Sequence, residues 1–202
     1  MDKLVEIFDR QRKYLESLRT IYYLNGYELH AHAPPWDLQG RDEQEEFRLL
    51  AWRFTEELIE AAAEADPQKY ITELADALHF LIEIALYAGI TVKDVYDGGE
   101  GWSWEELFAE AQRAQFHGAR KGYGDLCNLS IEHLGNAMCL LKQRPWRTDD
   151  RRTDPEAFRT RYRVAFLAFI TDCVARGVGA QALYDAFFAK AKVNDQRTRE
   201  QK

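Results

Sequence analysis

The sequence predicts an all-α protein, a helical bundle of about six to eight helices. Three observations point that way. Apolar residues recur every three to four positions along most of the chain, the period of a helix with one buried face. No segment alternates strictly for long enough to make a strand. Five Pro and twelve Gly in 202 residues are too few for a turn-dense β fold, and the prolines fall where helices begin or end.

The elements follow in order. Leu4, Phe8, Leu15, Leu18 and Tyr22 line a first helix. Segment 25–41, which holds Pro34-Pro35, reads as an irregular loop. Phe47, Leu50, Phe54, Leu58 and Ala61 line a second helix. Asp66-Pro67 then supplies an N-cap followed by Pro at the first helical position. Leu74, Ala77, Leu78, Leu81, Ile84, Ala85 and Ala88 line a third helix, apolar on most of its surface and therefore central. Thr91–Asp94 and Ser103–Glu106 are capping-box patterns, the first with Asp in place of Glu. Segment 97–102 reads as irregular. Further helices are expected over 103–121, 126–143, 155–176 (opened by Asp154-Pro155) and 179–195. Pro145 follows a helical stretch. The whole chain, 1–202, reads as a single domain.

Composition narrows the function classes. With 46% hydrophobic residues the chain can bury one good core. A net charge of −7 disfavours nucleic acid as the main ligand, because duplex phosphates call for a basic surface. Cys127, Cys139 and Cys173 form no CxxC and read as core filling in a reducing compartment. The charged N-terminus has no apolar signal-like region. The longest apolar stretch, Ala77 to Ile90, is broken by His79 and Glu83 and is too short for a bilayer. No membrane is implied, and a cytoplasmic location is the expectation. The run Lys142 to Arg152 is the one locally basic patch.

An internal echo appears at an offset of 88. Gly89-Ile90 matches Gly177-Val178, and Val95-Tyr96-Asp97 matches Leu183-Tyr184-Asp185. Both describe a helix ending at Gly before a new helix starts. Glu73 and Asp76 have no acidic counterparts in the second copy, where Arg161 and Val164 stand. Acidity before the first corner is therefore not a requirement of the corner.

Glu57 and Glu60 are three apart on the second helix, and Glu73 and Asp76 are three apart on the third. Each pair shares one helix face. The short link at Asp66-Pro67 makes the two helices antiparallel neighbours. Like charges at this spacing repel, and buried carboxylates are costly unless something positive joins them. Arg53 and Lys69 are the basic residues nearest the acids in these helices. A hard divalent cation resolves the conflict, and oxygen ligands suit Mg²⁺, with Mn²⁺ as a substitute. His79, among oxygen donors, reads as a supporting residue.

EExxE followed by ExxD on antiparallel helices resembles the all-α nucleoside triphosphate pyrophosphohydrolases. That superfamily includes MazG-type enzymes, dimeric dUTPases and phage dCTP pyrophosphatases. Glu73-Leu-Ala-Asp76-Ala-Leu-His79-Phe80 looks closest to the dUTPase and dCTPase branch. Lys190-Ala-Lys192-Val-Asn194-Asp-Gln-Arg197 is similar to the K-x3-N-x2-R segment of those enzymes, and the first helix with Gln11 resembles their opening helix. There are departures. Thr198-Arg199 stands in place of the usual Gly-Tyr, and the Trp/Lys-rich run between the acidic motifs is reduced to Lys69-Tyr70. Both bear on phosphate and base contacts.

The resemblance implies Mg²⁺-dependent hydrolysis of a deoxynucleoside triphosphate, dUTP or dCTP first, to the monophosphate and pyrophosphate. Glu57, Glu60, Glu73 and Asp76 would hold metal, with Glu57 also serving the attacking water. Lys190 and Arg197, two turns apart on one face, would clamp phosphates, with Asn194 between them offering an amide to base or sugar. Gln11, His79 and Trp36 complete the expected substrate contacts, Trp36 either stacking on a base or anchoring its loop. Past Phe188 little apolar surface holds the chain, so a mobile C-terminal segment is expected. Phe166, Phe169, Phe187 and Phe188 suggest a homodimer face. Two alternatives differ in class: house-cleaning of purine or modified nucleotides, and a non-catalytic helical protein that uses the acidic groove for a partner.

Overall fold

The computed structural model describes residues 1–96, 103–117, 126–144, 146 and 151–200; at 31, 114–117 and 126–128 it describes the backbone alone. These residues form α1 Lys3–Leu24, α2 Glu28–Ala31, α3 Arg41–Ala63, α4 Pro67–Tyr87, α5 Val92–Val95, α6 Trp104–His117, α7 Leu126–Met138, α8 Pro155–Ala175 and α9 Ala180–Glu200. No strand occurs among them, so the all-α expectation holds. The expected loop 97–102, the end of the 103–121 helix, Pro145 and residues 147–150 lie outside the described residues, as does the side chain of Cys127. Cys173 is buried as expected, but Cys139 is exposed.

The caps form where the sequence places them. Asp66 accepts from the Gln68 amide at 2.8 Å, and Asp154 from those of Glu156 and Ala157 at 3.0 and 3.1 Å. Thr91 and Asp94 exchange both bonds of a capping box. The Ser103 hydroxyl accepts from the Glu106 amide at 3.2 Å. Three boundaries differ. The single turn α2 interrupts the expected 25–41 loop, α7 stops at Met138, and α9 runs on to Glu200.

A three-residue link joins α3 to α4, and the two pack along their length as a hairpin. Helices α7 and α8 form a second packed pair. α4 lies between α3 and α9 and also meets α1 and α8. Ala75, Ala77, Leu78, Leu81, Ile82, Ile84 and Ala85 on α4 are fully buried. The Tyr162 hydroxyl on α8 donates to the Leu81 carbonyl at 2.7 Å. Asp2 joins the start of the chain to the α5–α6 region by accepting from the Tyr96 hydroxyl and the Trp104 amide. Phe166, Phe169 and Phe187 are buried inside this chain and Phe188 partly so. The apolar area of Phe166, Phe169 and Phe187 is already covered within the chain, so these three rings offer no dimer face. No single helix among the described residues is long and apolar enough to cross a membrane.

The 88-residue echo is a shared corner. Gly89 and Gly177 have φ of +68° and +79°. Each is followed by a residue whose amide reaches back into the helix, Ile90 to the Ala85 carbonyl at 2.8 Å and Val178 to the Cys173 carbonyl at 2.9 Å. Only glycine adopts this left-handed conformation without strain. A Cβ at Gly177 would meet nothing within 4 Å, whereas one at Gly89 would lie 3.1 Å from the Pro35 Cβ. Gly177→Ala should therefore cost about 1–2 kcal/mol through conformation alone. Gly89→Ala should cost more, since it adds crowding to the same strain. Thermal melts of the two variants check the order, and equal losses would show that the Pro35 contact yields freely.

Candidate metal and phosphate site

The buried positions of α3 (Phe47, Leu50, Phe54, Leu58 and Ala61) fix which face meets the core. Glu57 and Glu60 then fall along its edge, toward α4. Glu57, Glu60 and Glu73 converge so that one carboxylate oxygen from each lies within 4.8 Å of the others. Asp76 is a turn further along α4 and 9% exposed. It is not part of that trio; its Oδ2 is ion-paired with the ammonium of Lys190 on α9.

These carboxylates are held in an unfavourable state. Burial, then repulsion from Asp76, Glu60 and Glu73, pushes the Glu57 pKa up to about 7. Burial and Asp76 raise Glu73 as well. Burial raises Asp76 even though Lys190 pulls the other way. Hard oxygen donors that converge from two helices and repel one another fit a divalent cation such as Mg²⁺.

Deeper along α4 the polar seam continues as a hydrogen-bonded chain. His79 Nδ1 lies 2.6 Å from the Gln11 Oε1, and the Gln11 Nε2 donates to Glu83 Oε1 at 2.8 Å. Burial lowers the His79 pKa to about 3, so the ring is neutral and its Nδ1–H is the donor to Gln11. Burial raises Glu83 to about 8, with the Gln11 bond opposing and Glu46 adding to the rise. The His79 ring stacks on Phe187 of α9 at 4.0 Å between centroids.

One cleft of about 600 Å³ collects most of the expected residues. Gln11, Glu57, Glu60, Glu73, Asp76, His79, Lys190, Asn194 and Arg197 all line it. Its walls come from α1, α2, α3, α4 and α9. The end of α9 is held rather than loose. Ala191 and Thr198 are buried, and Arg10 on α1 donates to the Ala191 carbonyl at 2.9 Å and pairs with Asp195 at 2.8 Å. The expectation of an untethered C-terminal segment is corrected by these polar ties, which apolar spacing does not register.

Trp36 does not reach the cleft. Its ring stacks on Tyr87 at 3.6 Å and its amide donates to the Tyr87 carbonyl at 2.7 Å. It anchors the loop and is not placed to meet a base. His30 stands on the cleft side of it, at 5.3 Å between ring centroids, and pairs with Glu46 at 3.0 Å. Tyr14, Tyr22, His30, Glu46, Arg53 and Glu83 also line the cleft and are absent from the expected site. Glu83 had a signal, an acid one turn beyond His79 in an apolar helix. His30 and Glu46 had none, because they meet only through the turn at α2. The described part of the basic run serves another place. Arg144 Nη1 donates to the Leu141 and Gln143 carbonyls, Arg48 on α3 reaches the same two carbonyls, and none of the run lines the cleft.

No protein-family model, curated protein or solved structure matches the chain at a significant level.

Glu57 and Glu83 carry protons in the folded protein at pH values where the unfolded chain has released them. Without metal, stability should fall as pH rises through this window, from about pH 5 to about pH 8. Glu57→Gln should reduce the slope only up to about pH 7, whereas Glu83→Gln should reduce it across the whole window and remove the decline above about pH 7. Urea titrations at stepped pH check this. An unchanged profile in both variants would mean that neither carboxyl is held in its acid form.

Proposed function

We propose that the protein is a Mg²⁺-dependent hydrolase that converts a deoxynucleoside triphosphate, dUTP or dCTP first, to the monophosphate and pyrophosphate. One observation carries this reading. A converging trio of glutamates with Asp76 faces Lys190, Asn194 and Arg197 across a single cleft. Acids alone repel a polyphosphate, and bases alone cannot place a metal on it. The two together fit a metal–triphosphate complex. The motifs' resemblance to the all-α nucleoside triphosphate pyrophosphohydrolases supports the same reading and the pyrimidine preference.

Glu57, Glu60, Glu73 and Asp76 would hold the metal. Mg²⁺ bound there supplies charge that offsets the phosphates and makes water a better nucleophile at neutral pH. Glu57, with a pKa near 7 before metal binds, is suited to orient the attacking water and take its proton. Lys190 and Arg197 would hold the phosphate tail, Lys190 as a point charge and Arg197 through its planar fork. The Gln11–His79–Glu83 chain borders the far end of the cleft. Glu83 lies seven residues from Asp76, about 10 Å along the helix, a span that suits the nucleoside.

Pyrophosphate release from a panel of nucleotides, with and without Mg²⁺, tests the reading. Glu60→Gln and Asp76→Asn should each lose about a hundredfold or more in turnover while remaining folded. Near-full turnover in either variant would remove the four-carboxylate site. Faster release from purine or modified nucleotides would favour a house-cleaning enzyme, and no release from any nucleotide a binding protein. A homodimer belongs to the same proposal, and a monomer at micromolar concentration in sedimentation velocity would refute it.

A further inference from the structure

Four carboxylates form the acidic end of the cleft, but they are not equivalent. Glu57, Glu60 and Glu73 converge with no lysine or arginine bound to them by ion pair or hydrogen bond among the described residues. Asp76 already has its counter-charge. The Asp76 and Lys190 side chains are only 12% and 19% exposed, so their pairing is shielded from competing water and salt. The register is set from below. Phe187 stacks on His79, and one turn along each helix Lys190 meets Asp76.

We propose that Lys190 keeps Asp76 closed to metal in the empty protein, so that the trio takes a first cation alone and a second can use Asp76 only when a phosphate chain draws Lys190 away. This rests on the hydrolase reading of the site. Lys190 is a compact charge on a flexible four-carbon stem, able to change partner without moving α9. A metal arriving at Asp76 in the empty cleft would set the ammonium beside itself, since the nearby carboxylates Glu57 and Glu73 would be the metal's own ligands. A polyphosphate offers other acceptors. The lysine can then pass to phosphate oxygens and leave Asp76 free.

Linkage makes the coupling reciprocal. Phosphate strengthens metal binding at Asp76, and metal there strengthens phosphate binding by the same factor. The trio alone would tether one cation, while the full charge needed for a triphosphate would assemble only on the substrate.

The test counts Mn²⁺ bound per chain from the free-ion electron paramagnetic resonance signal, which requires no turnover. The folded wild-type chain should bind one ion without nucleotide and reach two with α,β-imido-dUTP, after correction for ions held by free analogue. Lys190→Met should bind two without nucleotide, the second at least about tenfold more tightly than in wild type. Asp76→Asn, and Asp76→Asn combined with Lys190→Met, should stay at one throughout. Lys190→Gln replaces Lys190→Met if circular dichroism shows that the latter has not folded. Two ions on empty wild type, or one on either lysine variant, would overturn the inference while leaving the hydrolase reading standing if pyrophosphate is still released. No Mn²⁺ bound to wild type under either condition would overturn both.

Discussion

The structure turns on the compensation of charge along one helix. Among the described residues α4 has more buried positions than α1, α3, α8 or α9, yet it carries Glu73, Asp76, His79 and Glu83 in a single seam. Polar groups taken from water must find partners or lose stability, and ionised ones lose most. Two neighbours of the seam, α1 and α9, answer part of this demand. α1 supplies Gln11, which bridges His79 and Glu83. α9 supplies Lys190 to Asp76 and Phe187 to the flat of the His79 ring. α3 supplies no compensation. It brings Glu57 and Glu60 beside Glu73 and so concentrates the problem. That residual, uncompensated charge is the feature of the cleft that most directly calls for a ligand.

The two glycine corners separate frame from function. α4 leads into α5, and α8 into α9, through the same left-handed glycine. α8 packs with α7 much as α4 packs with α3. In the second pair the position of Glu73 is taken by Arg161 and that of Asp76 by Val164. A hairpin of this kind therefore packs without an acidic seam. The acids of the first pair work against stability within a frame that does not need them, a pattern common at functional sites.

Much of the seam was legible in the sequence because helical spacing maps directly onto a face. EExxE and ExxD meet if their helices are antiparallel neighbours, and the short link marked by Asp66-Pro67 dictates that. Lys190, Asn194 and Arg197 come from the resemblance of their segment to K-x3-N-x2-R, and the same spacing puts them on one face. Aromatic and long-range polar contacts were harder to read. Trp36 beside Pro34-Pro35 looks the same in sequence whether it faces solvent or, as here, Tyr87. Arg10 gives no sign that its partners are Ala191 and Asp195, so α9 seemed to lack anything to hold it. The mutual claim of Lys190 and Asp76 was hidden for a related reason. Spacing says which residues share a face, not which opposite charges pair before a ligand arrives.

The polar ties on α9 also explain how a charged helix stays docked beside an acidic cleft. Glu6 accepts from the Tyr184 hydroxyl at 2.6 Å, Arg10 reaches Ala191 and Asp195, and Thr198 lies against Tyr14. The partners advance together along α1 and α9, so these two helices run parallel. His79 with Phe187, and Asp76 with Lys190, advance in opposite directions, so α4 and α9 run antiparallel. α9 is therefore fixed along two edges, one through part-buried polar contacts, the other through a buried stack. Two fixed edges leave little freedom for the helix as a body. Adjustment to a ligand falls instead to side chains long enough to move while the backbone stays in place, and along the cleft face of α9 those are Lys190 and Arg197.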